Sequence, residues 1–353
     1  MEKNFRDRVR GCLIAGAIGD ALGYAVEFDQ WNTIRHRYGE SGIQALECDP
    51  RTGTAIISDD TQMTLFTANG LLLSEALGQR PPEGWIYAAY LDWLQTQRPK
   101  ARSERLCWLN GISELNAWRA PGNTCLGALE SGTMGSVDEP INNSKGCGGV
   151  MRVAPVAAYG AAKGWDEERI VRLGAEAAAI THGHPLGWMS AAAMVDIVYR
   201  ELHGAPPRQA VEESIDALRR IYGADDPWAQ RLTAGMERAL ALTEDMDGSD
   251  LQHLSRLGEG WVGDEALYVA IYCAVKYADD FDTAMTVSVN HSGDSDSTGA
   301  VTGNILGAHW GCEAIPSRWK EKLELHDVIL QVADDLCAPE AQRDGGWYGR
   351  YGK

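Results

Sequence analysis

The stretch HSGDSDSTGAVTGNILGA, residues 291–308, is the most informative part of the sequence for both fold and function. It sets two acids, Asp294 and Asp296, among hydroxyl side chains and then continues into small residues at helical spacing. Acids and hydroxyls are favoured at helix N-termini, where free N–H groups carry partial positive charge. One carboxylate is enough for a cap, so the second carboxylate indicates a bound cation.

A second acidic cluster opens the stretch SDDTQMTLFTANGLLLSEAL, residues 58–77. Its first residues are typical of a helix cap, and the rest form an apolar helical stripe. For this cluster, capping and metal binding explain the residues equally well. Carboxylates and hydroxyls without His or Cys favour Mg²⁺ or Mn²⁺ over zinc, and Ca²⁺ stays possible. A shared site would require the chain to close on itself, which favours one domain.

Helical spacing recurs along most of the chain, and clear strands of period two are missing. The sequence therefore predicts an all-α fold. One helical face is formed by Val9, Leu13, Ala17 and Ala21, and another helix begins at Ser58. Further helical windows fall at 85–96, 166–180, 186–202, 208–222, 226–243, 264–278, 297–310 and 319–336. Residues 119–149 are rich in Gly, Asn and Ser, and so long a loop tends to be functional or disordered.

A glycine-rich segment near the start, GAIGDALGYAVEF at residues 16–28, carries two acids, Asp20 and Glu27. Its glycines recur every three or four residues, which predicts a helix that another backbone approaches closely. If the helix persists, the two acids lie roughly on one face. They are then either solvated acids beside a tight helix contact, or Glu27 is a carboxylate that points into a site.

The charge balance limits the classes of partner. The chain has 50 acidic and 32 basic residues and a formal net charge of −18, which argues against general binding of nucleic acid or anionic membranes. It suits a basic protein partner or bound cations. Eight scattered cysteines and no apolar run near 20 residues predict a cytoplasmic protein. The short, glycine-rich apolar run after Arg10 is a poor signal peptide.

Five motifs follow one another along the chain: GxxGDALGxxxE, SDDTQMTL, GGVMRVAPV, THGHP and GDSDSTGAVTGNILGA. In this order they resemble the ADP-ribosylglycohydrolase family. The resemblance runs from about Arg10 to Gly311. It implies a single domain over residues 1–353, with the motif-bearing core at about 10–311, a helical C-terminal segment and a short tail. The implied fold is a compact, orthogonal all-α helical bundle.

The resemblance also implies a binuclear Mg²⁺ or Mn²⁺ centre with catalysis at Glu27, Asp60 and Asp296. Its metal motifs fall on Ser58, Asp59, Asp60, Asp294, Asp296 and Ser297. Many relatives have Thr where this chain has Ser58 and Ser297, and both hydroxyls can ligate.

The family's glycine-rich segment, which wraps the ADP-ribose phosphates, falls on Gly148, Gly149, Val150, Met151 and Arg152. Exposed backbone N–H groups at glycine can approach phosphate oxygens. His182 is either a substrate contact or a packing residue. For Trp261, a place in the core is favoured over stacking on adenine.

One segment departs from the family pattern. Nitrogenase-regulating members carry an acid in a G-x-T-C stretch that reads Gly-Asn-Thr-Cys at residues 122–125 here. Asn123 and Thr124 are therefore candidate substrate contacts, but Asn123 cannot serve as a base. Any essential proton transfer by that acid would pass to Glu27 or be lost.

The implied activity is hydrolysis of the N-glycosidic bond between ribose and an arginine guanidinium of an ADP-ribosylated protein. This reaction releases ADP-ribose and reverses mono-ADP-ribosylation. The alternative is an immunity or regulatory protein that neutralises an ADP-ribosyltransferase by binding it. Activity after substitution of metal ligands separates the two, because only catalysis depends on them.

Overall fold

The computed structural model describes residues 2–352, and their regular structure is helical. Three isolated β-bridges are present among these residues, but no strand. The α-helices, in chain order, are α1 (Glu2–Tyr24), α2 (Trp31–Tyr38), α3 (Asp59–Leu77), α4 (Pro82–Gln97), α5 (Asn123–Glu130), α6 (Ala154–Ala162), α7 (Glu167–Ala179), α8 (Pro185–Leu202), α9 (Pro207–Tyr222), α10 (Pro227–Glu244), α11 (Asp250–Ser255), α12 (Gly263–Lys276), α13 (Phe281–Val289), α14 (Ser295–Trp310), α15 (Ser317–Lys320), α16 (His326–Cys337) and α17 (Gly345–Tyr351). The all-α prediction is confirmed.

Helices α1 and α14 form the central and most extensive helix contact of the protein. Small residues allow it: a Cβ at Gly19 would overlap the Gly299 carbonyl oxygen, and one at Gly303 would overlap that of Ala15. The predicted close approach of another backbone to the glycine-rich helix is therefore confirmed, and its partner is α14. Because the contact holds the two axes close together, the ends of both helices are fixed relative to each other.

The other helices surround this pair. Helix α16 packs on α1, α12 packs on α14, and α4 covers α3. Burial of apolar side chains from all of these helices supplies the main stabilising free energy. Contacts of α1 with α14 and α16 join the two ends of the described chain. The assignment of residues 1–353 to one domain stays a prediction.

Two predicted segments differ from the structure. The window 319–336 was predicted as one helix, but α15 and α16 are separate because Leu325 has a left-handed backbone with φ of 60°. Helix α1 ends at Tyr24, so Glu27 lies in the following turn and not on the same helix as Asp20. The long loop at 119–149 contains α5 and a short 3₁₀ turn, Cys147–Gly149.

Candidate metal centre

The two acidic clusters, far apart in the sequence, meet at the N-termini of α3 and α14. Ser297 Oγ donates a hydrogen bond of 2.9 Å to Asp60 Oδ2, across 237 residues of chain. Carboxylate oxygens of Glu27, Asp294 and Asp296 form a second group, all within 4.8 Å of one another. We call these five residues together with Ser58 and Asp59 the acid site. Both N-termini direct partial positive charge toward it.

Each cluster begins its helix as predicted. Ser58 is the N-cap of α3, and its hydroxyl accepts the N–H of Asp60 at 3.1 Å. Asp294 is the N-cap of α14 but makes no side-chain cap hydrogen bond. Its carboxylate instead faces the acid site. Capping therefore accounts for Ser58 and leaves Asp294 without a capping role.

Asp20 holds the first cluster in place from α1. Its carboxylate is fully buried and accepts the backbone N–H groups of Ser58 at 2.8 Å and Thr61 at 3.0 Å. The interpretation of Asp20 and Glu27 as solvated acids is wrong, because both side chains are buried. Helical spacing indicated the close helix contact, but no sequence signal indicated that Asp20 binds the start of α3.

Asp59 is oriented by the long loop. Its N–H donates to the Arg119 carbonyl at 3.0 Å, and Gly122 N–H donates to Asp59 Oδ2 at 3.2 Å. Arg119 is itself held by an ion pair of 2.9 Å with Glu324. The glycine- and asparagine-rich segment thus positions an acidic side chain, a role that its composition did not indicate.

The electrostatics of the acid site favour bound cations. Burial, and then repulsion by neighbouring carboxylates, raises the pKa of Glu27, Asp59, Asp60 and Asp294 well above ordinary values. Among the described residues, no ion pair links these carboxylates to a basic side chain. Buried unpaired charges are strongly unfavourable, so either protons or cations must neutralise them.

The residues present fit a divalent cation. Glu27 Oε2 is buried and has no hydrogen-bond partner among the described residues, so a ligand position that faces the acid site is left open by them. The remaining donors are carboxylate and hydroxyl oxygens, which suit hard cations such as Mg²⁺ and Mn²⁺. One soft donor is close: the Cys147 thiol contacts Asp294. No sequence pattern indicated this contact.

The structure does not place every predicted substrate residue at the acid site. Arg152 is fully buried, with its guanidinium bound to Thr181 Oγ1 at 2.7 Å and the Ala177 carbonyl at 3.2 Å, and stacked over Tyr90. Its Nη groups contact core residues, and its Nε, which has no partner among the described residues, is buried too. The assignment of Arg152 to phosphate binding is therefore corrected. Val150 is fully buried as well and supports the turn from inside.

The other members of the glycine-rich segment lie closer to the acid site. Met151 Sδ is 3.9 Å from Ser297 Oγ. Gly148 and Gly149 form the 3₁₀ turn, and a Cβ at Gly148 would press against His182. His182 is buried, and its Nδ1 lies 2.8 Å from Thr181 Oγ1. Burial, and then the charge of Arg152, lowers the pKa of His182 to about 3, so the imidazole is neutral.

Two candidates lie at the start of α5, and one aromatic pair lies near Glu27. Thr124 Oγ1 is 3.0 Å from Ser144 Oγ, and Asn123 is exposed. Trp261 was expected in the core, but it is 41% exposed and stacks on exposed Phe28 with ring centroids 6.2 Å apart. Two exposed aromatic rings therefore stand next to the turn that carries Glu27.

Comparison with known proteins supports the resemblance found in the motifs. ADP-ribosylhydrolase ARH3 of Mus musculus is 25% identical over 92% of this chain and 90% of its own length. The ADP-ribosyl-[dinitrogen reductase] glycohydrolase of Rhodospirillum rubrum is 26% identical over 94% of this chain and 96% of its own. A solved structure described as an ADP-ribosylglycohydrolase-related protein complex has the same fold, with a TM-score of 0.68, 23% identity and coverage of 95% and 98%.

The ADP-ribosylglycohydrolase family itself matches residues 1–345, almost the whole sequence. Among the described residues, no helix is both long and apolar enough to cross a membrane. The chain belongs to the ADP-ribosylglycohydrolase family and is a hydrolase of linkages to ADP-ribose.

Proposed function

We propose that this chain hydrolyses the N-glycosidic bond between ribose and an arginine guanidinium of ADP-ribosylated proteins and releases ADP-ribose. The observation that carries the proposal is the convergence of the two acidic clusters through Ser297 and Asp60, 2.9 Å apart. Two cluster-bearing helix N-termini at one buried position are more than capping requires, and they match what the motifs implied.

We further propose that the acid site holds two divalent cations, Mg²⁺ or Mn²⁺. Its ligands would be Ser58, Asp59, Asp60, Asp294, Asp296 and Ser297. When bound, the cations would supply positive charge that fixes ribose hydroxyls and polarises the reacting groups. Asp60 and Asp296 would act from facing helices, and each is held by a neighbour: Ser297 Oγ donates to Asp60, and Ser297 N–H donates to Asp296 at 2.9 Å.

Glu27 would handle the proton in this reaction. Cleavage builds positive charge at the ribose carbon, and a guanidine leaves poorly unless it is protonated. Glu27 Oε2 has no hydrogen-bond partner in the described part of the chain, so this oxygen is free to exchange a proton with the leaving nitrogen or with water. Burial is the first cause of its raised pKa, and burial favours the protonated form that the leaving nitrogen needs.

Substrate contacts are proposed around this centre. Gly148, Gly149 and Met151 lie in the turn beside Ser297, and Asn123 and Thr124 begin a helix near Asp59. His182 would support the turn at Gly148 in its neutral form. An arginine acceptor suits the acidic surroundings, because its guanidinium is a cation that acidic side chains attract.

Hydrolysis assays with defined linkages test the proposal. The protein is incubated with arginine-, serine- and DNA-linked ADP-ribose in the presence of Mg²⁺ or Mn²⁺, and released ADP-ribose is quantified. We expect activity on the arginine adduct, and its loss in Asp296→Ala and Glu27→Ala. Asp225→Ala, at an exposed acid in the turn before α10, is the matched control. Equal turnover by the acid-site variants and the wild type would refute the proposed roles.

Neutralisation of an ADP-ribosyltransferase by binding is the alternative to catalysis. No relative named above is described as such an inhibitor. Protection from a transferase that survives Asp296→Ala would favour binding, and its loss would favour hydrolysis. A cytoplasmic location is part of the proposal, because all eight cysteines are free thiols, as a reducing compartment would keep them.

A further inference from the structure

An open groove lies beside the acid site and is not used by the proposed chemistry. It consists of a cavity of about 320 Å³ and an adjoining cavity of about 220 Å³, and both are lined by Trp31, Leu251 and Leu254. We call it the Trp31 groove. It runs between the start of α2 and the short helix α11.

The walls of the groove continue directly into the acid site. Gln30, the N-cap of α2, and Trp31, its first residue, come shortly after the turn that carries Glu27. Trp31 N–H donates to Ser292 Oγ at 2.8 Å, two residues before Asp294. The groove therefore begins where the acid site ends, and the same backbone segments form both.

A third wall segment makes the same connection. The carbonyl of Glu259, which lines the groove, accepts the N–H of Asp294 at 2.8 Å. Two residues later, Trp261 stacks on Phe28 beside Glu27. The segment from Glu259 to Trp261 therefore borders both the groove and the turn that carries Glu27.

The lining has the chemistry of a polypeptide-binding surface. The half-buried side chains of Trp31 and Leu251 supply apolar contact area, and Leu254 is buried beneath them. The amides of Gln30 and Asn32 and the carboxylate of Glu259 line the same cavity and make no hydrogen bond or ion pair with the described residues. Unpaired amides can pair with peptide N–H and C=O groups, while an aromatic wall packs against alternate side chains.

We propose that the Trp31 groove binds the polypeptide that flanks the ADP-ribosylated side chain of a protein substrate. The proposal rests on the function proposed above, because the modified side chain must then enter the acid site while its backbone stays outside. Glu259 and the formal net charge of −18 favour a basic flanking sequence. The same net charge disfavours a second copy of this chain as the occupant.

A substitution that fills the groove tests this proposal. Ser255 is exposed, lines the groove at the end of α11, and makes only a local hydrogen bond to Gln252. Ser255→Trp would occupy the cavity, and Ser255→Ala is the control of small size. Trp31→Ala is the second variant, which removes the apolar wall without adding bulk.

Two substrates are compared: free ADP-ribosylarginine, and a lysine-flanked peptide with a central ADP-ribosylated arginine. For Ser255→Trp and Trp31→Ala we expect KM for the peptide to rise about tenfold, with kcat unchanged, because uniform binding is lost. The kinetic constants for free ADP-ribosylarginine should stay at wild-type values in all variants. Ser255→Ala should behave as the wild type on both substrates.

Several outcomes would contradict the proposed role of the Trp31 groove. Unchanged KM for the peptide in both variants would exclude it as the binding surface, while the proposed function would stand. An equal loss of kcat/KM on both substrates would show that the substitutions disturb the acid site and not a peptide-binding surface. A change of oligomeric mass in Ser255→Trp would assign the groove to a second copy of the chain. A wild type inactive on both substrates would refute the proposed function, and the groove proposal with it.

Discussion

The two ends of helix α3 carry buried or half-buried acids in opposite electrostatic surroundings. At its start, Asp59 and Asp60 face other carboxylates and no basic side chain among the described residues. At its end, Glu75 accepts from Arg343 at 2.7 Å and from Tyr159 at 2.9 Å, and it pairs with Lys163 at 2.6 Å. The chain supplies countercharge at one end and omits it at the other.

The pKa values follow this difference. Burial would raise the pKa of Glu75, but hydrogen bonds from Lys163, Arg343 and Tyr159 lower it to about 2. Burial and neighbouring carboxylates raise the pKa of Asp59 and Asp60. A carboxylate near a helix C-terminus is normally disfavoured, so the ionised form of Glu75 is stabilised by its hydrogen-bond and ion-pair partners. The comparison shows that the acid site depends on charge from outside the chain.

Neutralising one acid at each end of α3 tests directly whether the two ends have different roles. Asp60→Asn should lower the rate of ADP-ribose release by more than about 100-fold, because it removes a proposed metal ligand. Glu75→Gln should leave the rate within about twofold, because Glu75 lies at the far end of the helix and contacts no acid-site residue. Both rates are measured with Mg²⁺ and with Mn²⁺. Comparable losses in the two variants would contradict the division of roles.

Removal of divalent cations should affect the acid site in a pH-dependent manner. The raised pKa of Asp59, Asp60 and Asp294 means that the unfolded chain releases these protons first, so metal-free stability falls as pH rises above about 4. At pH 8, Mg²⁺ or Mn²⁺ at about 100 times its Kd should restore about 2.7 kcal/mol, and the same concentration should restore less at pH 5, where protons compete for the carboxylates.

Melting temperatures in chelator and in excess cation, recorded at both pH values, measure this effect. The variant Asp60→Asn with Asp294→Asn should show a flatter pH profile in chelator and a smaller gain from cation. Cation stabilisation that is equal in this variant and in the wild type would place the metal elsewhere.

The contact between α1 and α14 is what forces the acids together, and a methyl group there tests it. Gly303→Ala should destabilise the protein by about 1–3 kcal/mol, because its Cβ would overlap the Ala15 carbonyl oxygen. Gly127→Ala in α5 meets nothing within 4 Å and should be neutral or slightly stabilising. Denaturant unfolding of both variants gives the free energies. A stable Gly303→Ala variant with full cation binding would show that the acids do not depend on this contact.

The last prediction concerns Glu75, near the C-terminus of α3, where basic side chains pair with it. Glu75→Gln should lower the free energy of unfolding at pH 7 by about 1 kcal/mol, a discounted value because the ion pairs are partly exposed. Because the pKa of Glu75 is lowered, its ionised form adds to the free energy of unfolding at pH values above 4.5. This stabilisation is lost as pH falls toward about 2. Urea unfolding of the variant and the wild type should therefore converge at low pH. A constant difference across that range would mean that packing is responsible.

The helical fold could largely be predicted because amphipathic spacing is local. The long windows at 186–202 and 208–222 correspond to α8 and α9. The short helices α2, α5 and α13 were missed, since eight or nine residues give little periodic signal. The break at Leu325 was missed because a left-handed leucine has no sequence signature.

The candidate site was predictable in its residue types and less so in its contacts. The cluster at Asp294 was visible because it carries an acid that a cap does not need. The cluster at Ser58 could equally be a cap, and the family motif was needed to assign it to the site. Arg152 was assigned to phosphate, but its partners Thr181 and Tyr90 are remote in sequence and hold it in the core. Asp20 was noticed only for its spacing, and its role depends on the N–H groups of a helix far along the chain.

The helical class, the family motifs and the oxygen-rich composition of the acid site could be predicted from the sequence alone, because they depend on residue type and local spacing. The tertiary structure alone decided that Asp60 and Ser297 touch, that Glu27 is buried with an unpartnered oxygen, and that Arg152 is not free. Burial and Coulomb repulsion between carboxylates are properties of distances across the chain. Those distances exist only once the glycine contact has brought α1 and α14 together.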